Sequence, residues 1–231
     1  MAFTLKSVDE LFPTPLLRFE VGDAARLNQA LLGEIATRRA KEEGVSKSNR
    51  LGWHSASDLF ERKEKAQAAL AHLLLRMMAQ ATRTVAPDTD FTKLQLVTDG
   101  WINVNPTGAY NGPHDHPGAF WSGCYYVQVP AGGDGDGVND DGVIEFISPH
   151  KPLPGVGLIG GALTGDRLRI KPKAGLMLLW PAYLLHWVHP NASAEDRVTI
   201  AFNGYFRAKK AGAQIARTGP SRRPGGVRPR S

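Results

Sequence analysis

The sequence predicts an α+β fold with a mainly β core. Helical periodicity is confined to about residues 1–90. After that, short strand-like runs follow one another, separated by turn residues instead of helices. Helices first and strands afterwards place the helices on one face of the sheets, and many short punctuated strands argue for a sandwich or barrel. With 231 residues and 42% hydrophobic content the chain can bury one sizeable core. Residues 1–206 are read as a single domain, helical over about 1–90 and β over about 91–206, with a tail at 207–231.

The first helix is expected over residues 24–41. Leu27, Leu31 and Ile35, with Leu32 alongside, form an apolar stripe, and Arg38, Arg39 and Lys41 in the last turn suit the helix dipole. The second is expected over 58–84. Asp58 and Glu61 resemble a capping pair, Leu59, Ala66, Leu70, Leu73, Leu74 and Met77 follow the helical period, and Pro87 lies just beyond. Between them KSNRLGWHSAS is a loop, whose His54 is expected to make local hydrogen bonds. His72 reads as a packing or surface residue. Strands are predicted at Leu94–Val97, Trp101–Val104, Phe120–Val129, Gly142–Ile147, Arg167–Ile170, Gly175–Trp180, His186–Val188 and Arg197–Phe206, with DG at 99–100 and NGP at 111–113 among the turns. The segment AGGDGDGVNDDG at 131–142 fails the EF-hand pattern, because Val138 and Asn139 stand where a ligand and the turn glycine are required, and is read as a long hairpin loop.

Charge is concentrated at one end. Residues 207–231 carry eight basic side chains and no acidic one; without them the net charge of +6 falls to −2. A Gly- and Pro-rich basic tail on a near-neutral body reads as a solvated terminus, and nucleic acid is not an expected partner. No apolar run approaches the length of a membrane span. The start of the chain lacks the basic-then-apolar pattern of a secretory signal, and Cys124 is the only cysteine, so a cytoplasmic setting is expected. Homo-oligomerisation is left open.

The chemistry gathers around histidines. His114 and His116 stand in HDHP, and His186 ends LLWPAYLLH seventy-two residues after His114. In a strand, residues i and i+2 share a face, so His114 and His116 can aim two imidazoles at one point. His186 can add a third from a distant strand. Three neutral nitrogens with coordination positions to spare make a reactive metal site instead of a closed structural one. His189 and His150 are expected to point elsewhere. Arg197 opens RVTIAFNGYF, with Thr199 on the same strand face. A buried Arg needs an anion, and this pair can hold a carboxylate; a salt bridge to Glu145 or Asp196 is the plainer alternative. Trp101, Trp121, Trp180 and Trp187 are candidates to line a pocket.

The strings HDHPGAFWSGCYYVQVP, IEFISP, AGLMLLWPAYLLHWVHPN and RVTIAFNGYF together resemble the 2-oxoglutarate- and iron(II)-dependent oxygenases with a double-stranded β-helix (jelly-roll) core, over residues 98–206. The resemblance implies Fe(II), 2-oxoglutarate as cosubstrate and O2, with hydroxylation of a small molecule or peptide. It implies His114 and His186 as iron ligands, Arg197 and Thr199 as the grip on the far carboxylate of 2-oxoglutarate, and Asn105 with whichever of Tyr125 and Tyr126 faces inward, here taken to be Tyr126, as further cosubstrate contacts. One departure stands out. Most of the superfamily carries Asp or Glu two residues after the first histidine, where this chain has His116. His116 is the favoured third ligand. Alternatives are His116 as first ligand with Gly118 an empty position, or Asp115 on a bulged backbone. Two other function classes remain: a three-His cupin-type dioxygenase or isomerase without 2-oxoglutarate, and a non-enzymatic ligand-binding barrel.

Overall fold

The computed structural model describes residues 3–130, 141–150, 158 and 165–209. In chain order the elements are β1 (Leu17–Glu20), α1 (Ala24–Arg39), β2 (Asn49–Arg50), β3 (Trp53–His54), α2 (Lys65–Val85), β4 (Leu94–Asn105), β5 (Tyr110–His114), β6 (Trp121–Gln128), β7 (Ile144–Ile147), β8 (Arg167–Ile170), β9 (Leu176–Pro181), β10 (His186–Val188) and β11 (Arg197–Ala208). They form two antiparallel sheets. The major sheet has the order β1-β9-β6-β11-β4-β3 and the minor one β2-β5-β10-β7-β8.

Strand alternation sorts the core into two layers. On the major sheet, Ile102, Val104, Tyr125, Met177, Leu179, Ile200 and Phe202 face the helices and meet Leu31 and Ile35 of α1 and Leu70, Leu74 and Met78 of α2. The opposite face turns Cys124, Tyr126, Leu178 and Trp180 toward Ile144, Phe146, Ile170 and Val188 of the minor sheet. The helices therefore back one sheet, as predicted, and the space between the sheets is free for a site. That architecture is the double-stranded β-helix.

Two predicted boundaries shift for physical reasons. The expected turn at Asp99–Gly100 is the middle of the 12-residue β4. A Cβ on Gly100 would lie 3.0 Å from Leu59 Cδ2 and 3.1 Å from Phe60 Cε2, so the glycine is there to let the turn before α2 pack onto the strand. The predicted helix 58–84 is broken: Leu59–Glu61 is a short 3-10 turn and α2 starts at Lys65. Asp58 makes no side-chain cap and pairs instead with Arg38 at 2.8 Å and Arg62 at 3.3 Å. The first amides of α2 are capped from another helix. Glu34 of α1 accepts from Ala66 N at 2.8 Å and from Gln67 N at 3.0 Å. This placement of a carboxylate at a helix N-terminus welds α1 to α2. Glu34→Ala is expected to cost about 1 kcal/mol, measurable as a lower urea midpoint at constant slope; an unchanged midpoint would show the cap to be idle.

The predicted strand Arg197–Phe206 extends as well: Arg207 and Ala208, which composition places in the tail, continue β11 opposite Gln95 and Leu94. Residues 131–140 of the acidic hairpin segment and 210–231 of the basic tail lie outside the described residues. Among the described residues no helix is long and apolar enough to cross a membrane.

Candidate active site

The minor sheet places the first two imidazoles. β10 pairs with β5 so that His186 lies opposite His114. The four residues Asn111–His114 of β5 oppose the three residues His186–Val188 of β10, a bulge that absorbs Pro113 and re-aims the strand end. The third imidazole arrives differently from the sequence expectation. β5 ends at His114, so His116 is not its i+2 strand neighbour. The chain turns at Pro117 and Gly118, and His116 N–H donates to Ala182 O at 2.9 Å. The ring is thereby returned to the cluster. Ring centroids are 4.4 Å apart for His114–His186, 5.0 Å for His114–His116 and 5.4 Å for His116–His186. One ligand atom from each lies within 4.8 Å of the others. Asp115 is exposed and stands outside this cluster.

The protonation of the rings suits a cation. His114 Nδ1 lies 2.7 Å from Gly112 O, and His186 Nδ1 lies 2.9 Å from Leu184 O. A carbonyl only accepts, so Nδ1 carries the hydrogen and Nε2 keeps its lone pair. Burial drives all three rings toward the neutral form: it lowers His114, and with the charge of neighbouring His114 it holds His116 at about 4 and His186 at about 3.

Arg197 closes the other end of the same pocket, which runs from the imidazoles past Trp101, Asn103, Asn111 and Trp180 to Arg197 and Thr199. Arg197 is 2% exposed. Its guanidinium sits 5.2 Å from the centre of the Tyr126 ring, and Nη1 donates to Thr199 Oγ1 at 3.3 Å. Both carboxylates proposed as plain partners are engaged elsewhere. Asp196 pairs with Arg39 at 2.8 Å, and Glu145 with Arg167, Arg169 and His189. Among the described residues Arg197 has no carboxylate, and its Nε is buried without a hydrogen-bond partner. A buried cation left in this state is a receptor for an anion.

Other expectations sort cleanly. Tyr126 is the inward tyrosine; Tyr125 faces the helices and donates to Asn28 Oδ1. Asn105 lies opposite Arg197 in register but off the pocket lining, its amide donating to Asn111 at 3.1 Å. Asn103 and Asn111 line the pocket instead. The sequence pattern singles out neither, although Asn103 shares the β4 face of Asn105 two residues away. Of the four tryptophans, Trp101 and Trp180 line the pocket. Trp121 packs in the helix-side core with its indole N–H on Thr82 Oγ1 at 2.8 Å, and Trp187 lies against His189 with ring centroids 3.9 Å apart and planes tilted by 32°. His54 has its Nδ1 2.6 Å from Ser55 O, the local role expected, and also stacks on Trp101.

Residues 99–203 match the family model described as "Putative 2OG-Fe(II) oxygenase". Residues 99–203 are a 2OG-Fe(II) oxygenase domain. It spans the strands from β4 to β11 and includes all three imidazoles and Arg197. Similar solved structures share its fold. A prolyl-4-hydroxylase of Pseudomonas putida superposes with TM-score 0.59 at 15% identity, covering 82% of this chain and 91% of that one. A prolyl hydroxylase of Trichoplax adhaerens, in complex with a hypoxia-inducible-factor peptide, gives 0.57 at 12%, covering 82% and 83%. HygX of Streptomyces hygroscopicus, with nickel and 2-oxoglutarate bound, gives 0.51 at 15%, covering 83% of each. No curated protein sequence matches the chain. Domains of the matched family are Fe(II)- and 2-oxoglutarate-dependent enzymes.

The minor sheet that carries His186 also carries a buried carboxylate with a pH signature. Glu145 of β7 is wholly inaccessible. Burial alone would raise its pKa, but hydrogen bonds from Arg169, Trp187, Arg167 and His189 outweigh this and hold it at about 2, against an ordinary 4.5. A depressed carboxylate contributes stability that is complete above its ordinary value and is lost as pH falls from there through the folded value. With two half-exposed arginines as partners the contribution is on the order of 2 kcal/mol. Glu145→Gln is expected to flatten the fall in stability between pH 4.5 and 2. Chemical denaturation in steps across that range checks it, and parallel curves for the two proteins would refute it.

Proposed function

We propose that His114, His116 and His186 hold the Fe(II) of the oxygenase domain and that Arg197 and Thr199 hold the far carboxylate of 2-oxoglutarate, for hydroxylation of a substrate yet to be identified. The observation that carries the reading is the pairing of three neutral imidazoles in one pocket with a buried guanidinium that has no carboxylate partner among the described residues. Iron and 2-oxoglutarate, when bound, supply oxidative decarboxylation to succinate and carbon dioxide coupled to oxidation of the substrate.

The protein's own residues set the conditions. Gly112 and Leu184 carbonyls fix the tautomers of His114 and His186, so two ligands are presented without proton loss. His116 replaces the usual carboxylate, which leaves one fewer negative charge beside the metal. A dianionic cosubstrate compensates, and Arg197 anchors it where Tyr126 covers one face of the guanidinium. Trp101, Trp180 and Val188 wall the pocket and limit water. The buried single thiol of Cys124 suits a reducing, cytoplasmic setting.

The test is anaerobic loading with Fe(II) and 2-oxoglutarate, then admission of O2 with quantification of succinate. Succinate formed in proportion to 2-oxoglutarate consumed, even slowly without primary substrate, supports the reading. Stoichiometric iron without succinate would instead indicate three-His chemistry that does not use 2-oxoglutarate.

A further inference from the structure

A second cavity meets the first at the imidazoles. Lys47, Ser48, His54, Ser57 and Trp101 line it together with His114 and His116. Ser48, Trp101, His114 and His116 belong to both cavities, whereas Arg197 and Thr199 line only the first. If 2-oxoglutarate occupies the Arg197 end, as proposed above, the second cavity is the space left for the molecule to be oxidised.

Its walls have a definite chemistry. One side is an aromatic stack: His54 lies on Trp101 at 5.4 Å and 11°, and Trp101 abuts His116 at 5.8 Å. Among the described residues Lys47 is the one lysine in the lining, and no carboxylate lines the cavity. Asp115, the neighbouring acid, is exposed and outside it. Among the described residues Lys47 has no carboxylate partner. Its backbone, by contrast, is pinned: Lys47 N–H donates to Asn49 Oδ1 at 2.7 Å, and Arg50 Nη1 donates to Lys47 O at 2.9 Å. Asn49 is itself buried and ties the loop to Val45 O and Gly52 O. The loop backbone is thus fixed, and the exposed side chain of Lys47 reaches the cavity that Ser48 and Ser57 also line.

We infer that the primary substrate is a small molecule bearing a carboxylate, which pairs with Lys47 while its carbon skeleton lies along Trp101 toward His114 and His116. One ammonium and two hydroxyls match a monoanion with two oxygens. The indole face accepts apolar carbon without demanding hydrogen bonds. The inference rests on the oxygenase reading of the imidazoles and adds to it the class of substrate.

The full-length protein, loaded anaerobically with Mn(II) and 2-oxoglutarate, serves as the test. Free α-amino and hydroxy acids, each paired with its primary amide, are screened by paramagnetic relaxation of their protons. At least one acid should relax at least ~10-fold more than its amide, the scale of one charge-assisted contact. Lys47→Met should erase that difference and Lys47→Arg should keep it. Amides that relax as strongly as their acids, no acid relaxed at all, or a Lys47→Met protein indistinguishable from wild type, each overturn the inference. Failure of the oxygenase reading registers earlier, as wild-type protein that takes up no Mn(II) before any acid is added, and removes the ground for both.

Discussion

His186→Ala should abolish succinate formation and weaken binding of a substitute ion such as Ni(II) by more than ~100-fold, because loss of even a supporting partner of a metal ligand costs 10- to 100-fold. The expectation rests on position. His186 is 3% exposed, its tautomer is fixed by Leu184 O, and it stands opposite His114 across a strand pair. Its ring also packs against Trp180 at 4.9 Å and Phe146 at 5.9 Å, so truncation leaves a cavity and lowers stability. His186→Gln keeps most of the volume and separates the two effects. If the imidazole serves the metal, Gln preserves the melting temperature of the metal-free protein and still loses Ni(II), whereas a purely structural histidine would let Gln retain both. His116→Ala should show the same loss of Ni(II) with less effect on folding, since this ring lies beyond the end of β5. Asp115→Asn should change neither. Isothermal titration with Ni(II) across the four proteins decides among the ligand sets. Strong Ni(II) binding by His116→Ala with loss in Asp115→Asn would move the third ligand to the carboxylate.

The residues that could be read in the sequence are those whose role depends on local pattern. The stripe Leu27, Leu31, Ile35 marks α1 because a helix repeats every three to four residues, and the run from Trp121 to Gln128 marks a buried strand because it is apolar on both faces. What was missed depends on partners far along the chain. β5 contains Gly112 and Pro113 and carries no alternation; it is a strand only because β2 and β10 flank it and a bulge tolerates the proline. Gly100 looks like a turn until Leu59 and Phe60 are seen against it. Glu34 caps a helix thirty-two residues away. The same distinction holds in the site. His114, His186 and Arg197 were legible from type and spacing. For His116 the structure replaces the strand argument with a turn, in which Ala182 O holds the chain so that the ring still lies beside His114 and His186. Asn105 and Asn103 were not separable, since both face inward from β4 and only the bond to Asn111 withdraws the former.

Arg197→Met should produce two effects of opposite sign. Among the described residues Arg197 is buried with Nε unsatisfied and no carboxylate partner. An isolated buried charge is unfavourable, and an apolar side chain of similar length removes the penalty. The variant is therefore expected to be more stable than wild type by about 1–2 kcal/mol, or a few degrees in melting temperature. The same change deletes the anchor for the far carboxylate. Truncating one partner of a buried charge pair costs about 2–5 kcal/mol, so affinity for 2-oxoglutarate should fall by about 30-fold or more. Wild type should gain thermal stability on addition of 2-oxoglutarate with Ni(II), and the variant should not. Gly142→Ala provides an independent approach to the same side chain. Gly142 has φ +61°, and a Cβ there would lie 2.6 Å from Arg197 Cδ, so the methyl must displace the guanidinium stem without altering its charge. It should raise the Michaelis constant for 2-oxoglutarate while leaving Ni(II) affinity intact. A structural arginine predicts the reverse for Arg197→Met: lower stability and unchanged 2-oxoglutarate affinity. Thermal melts with and without cosubstrate distinguish the two, because stability given up in the unliganded protein is recovered only when an anion reaches Arg197.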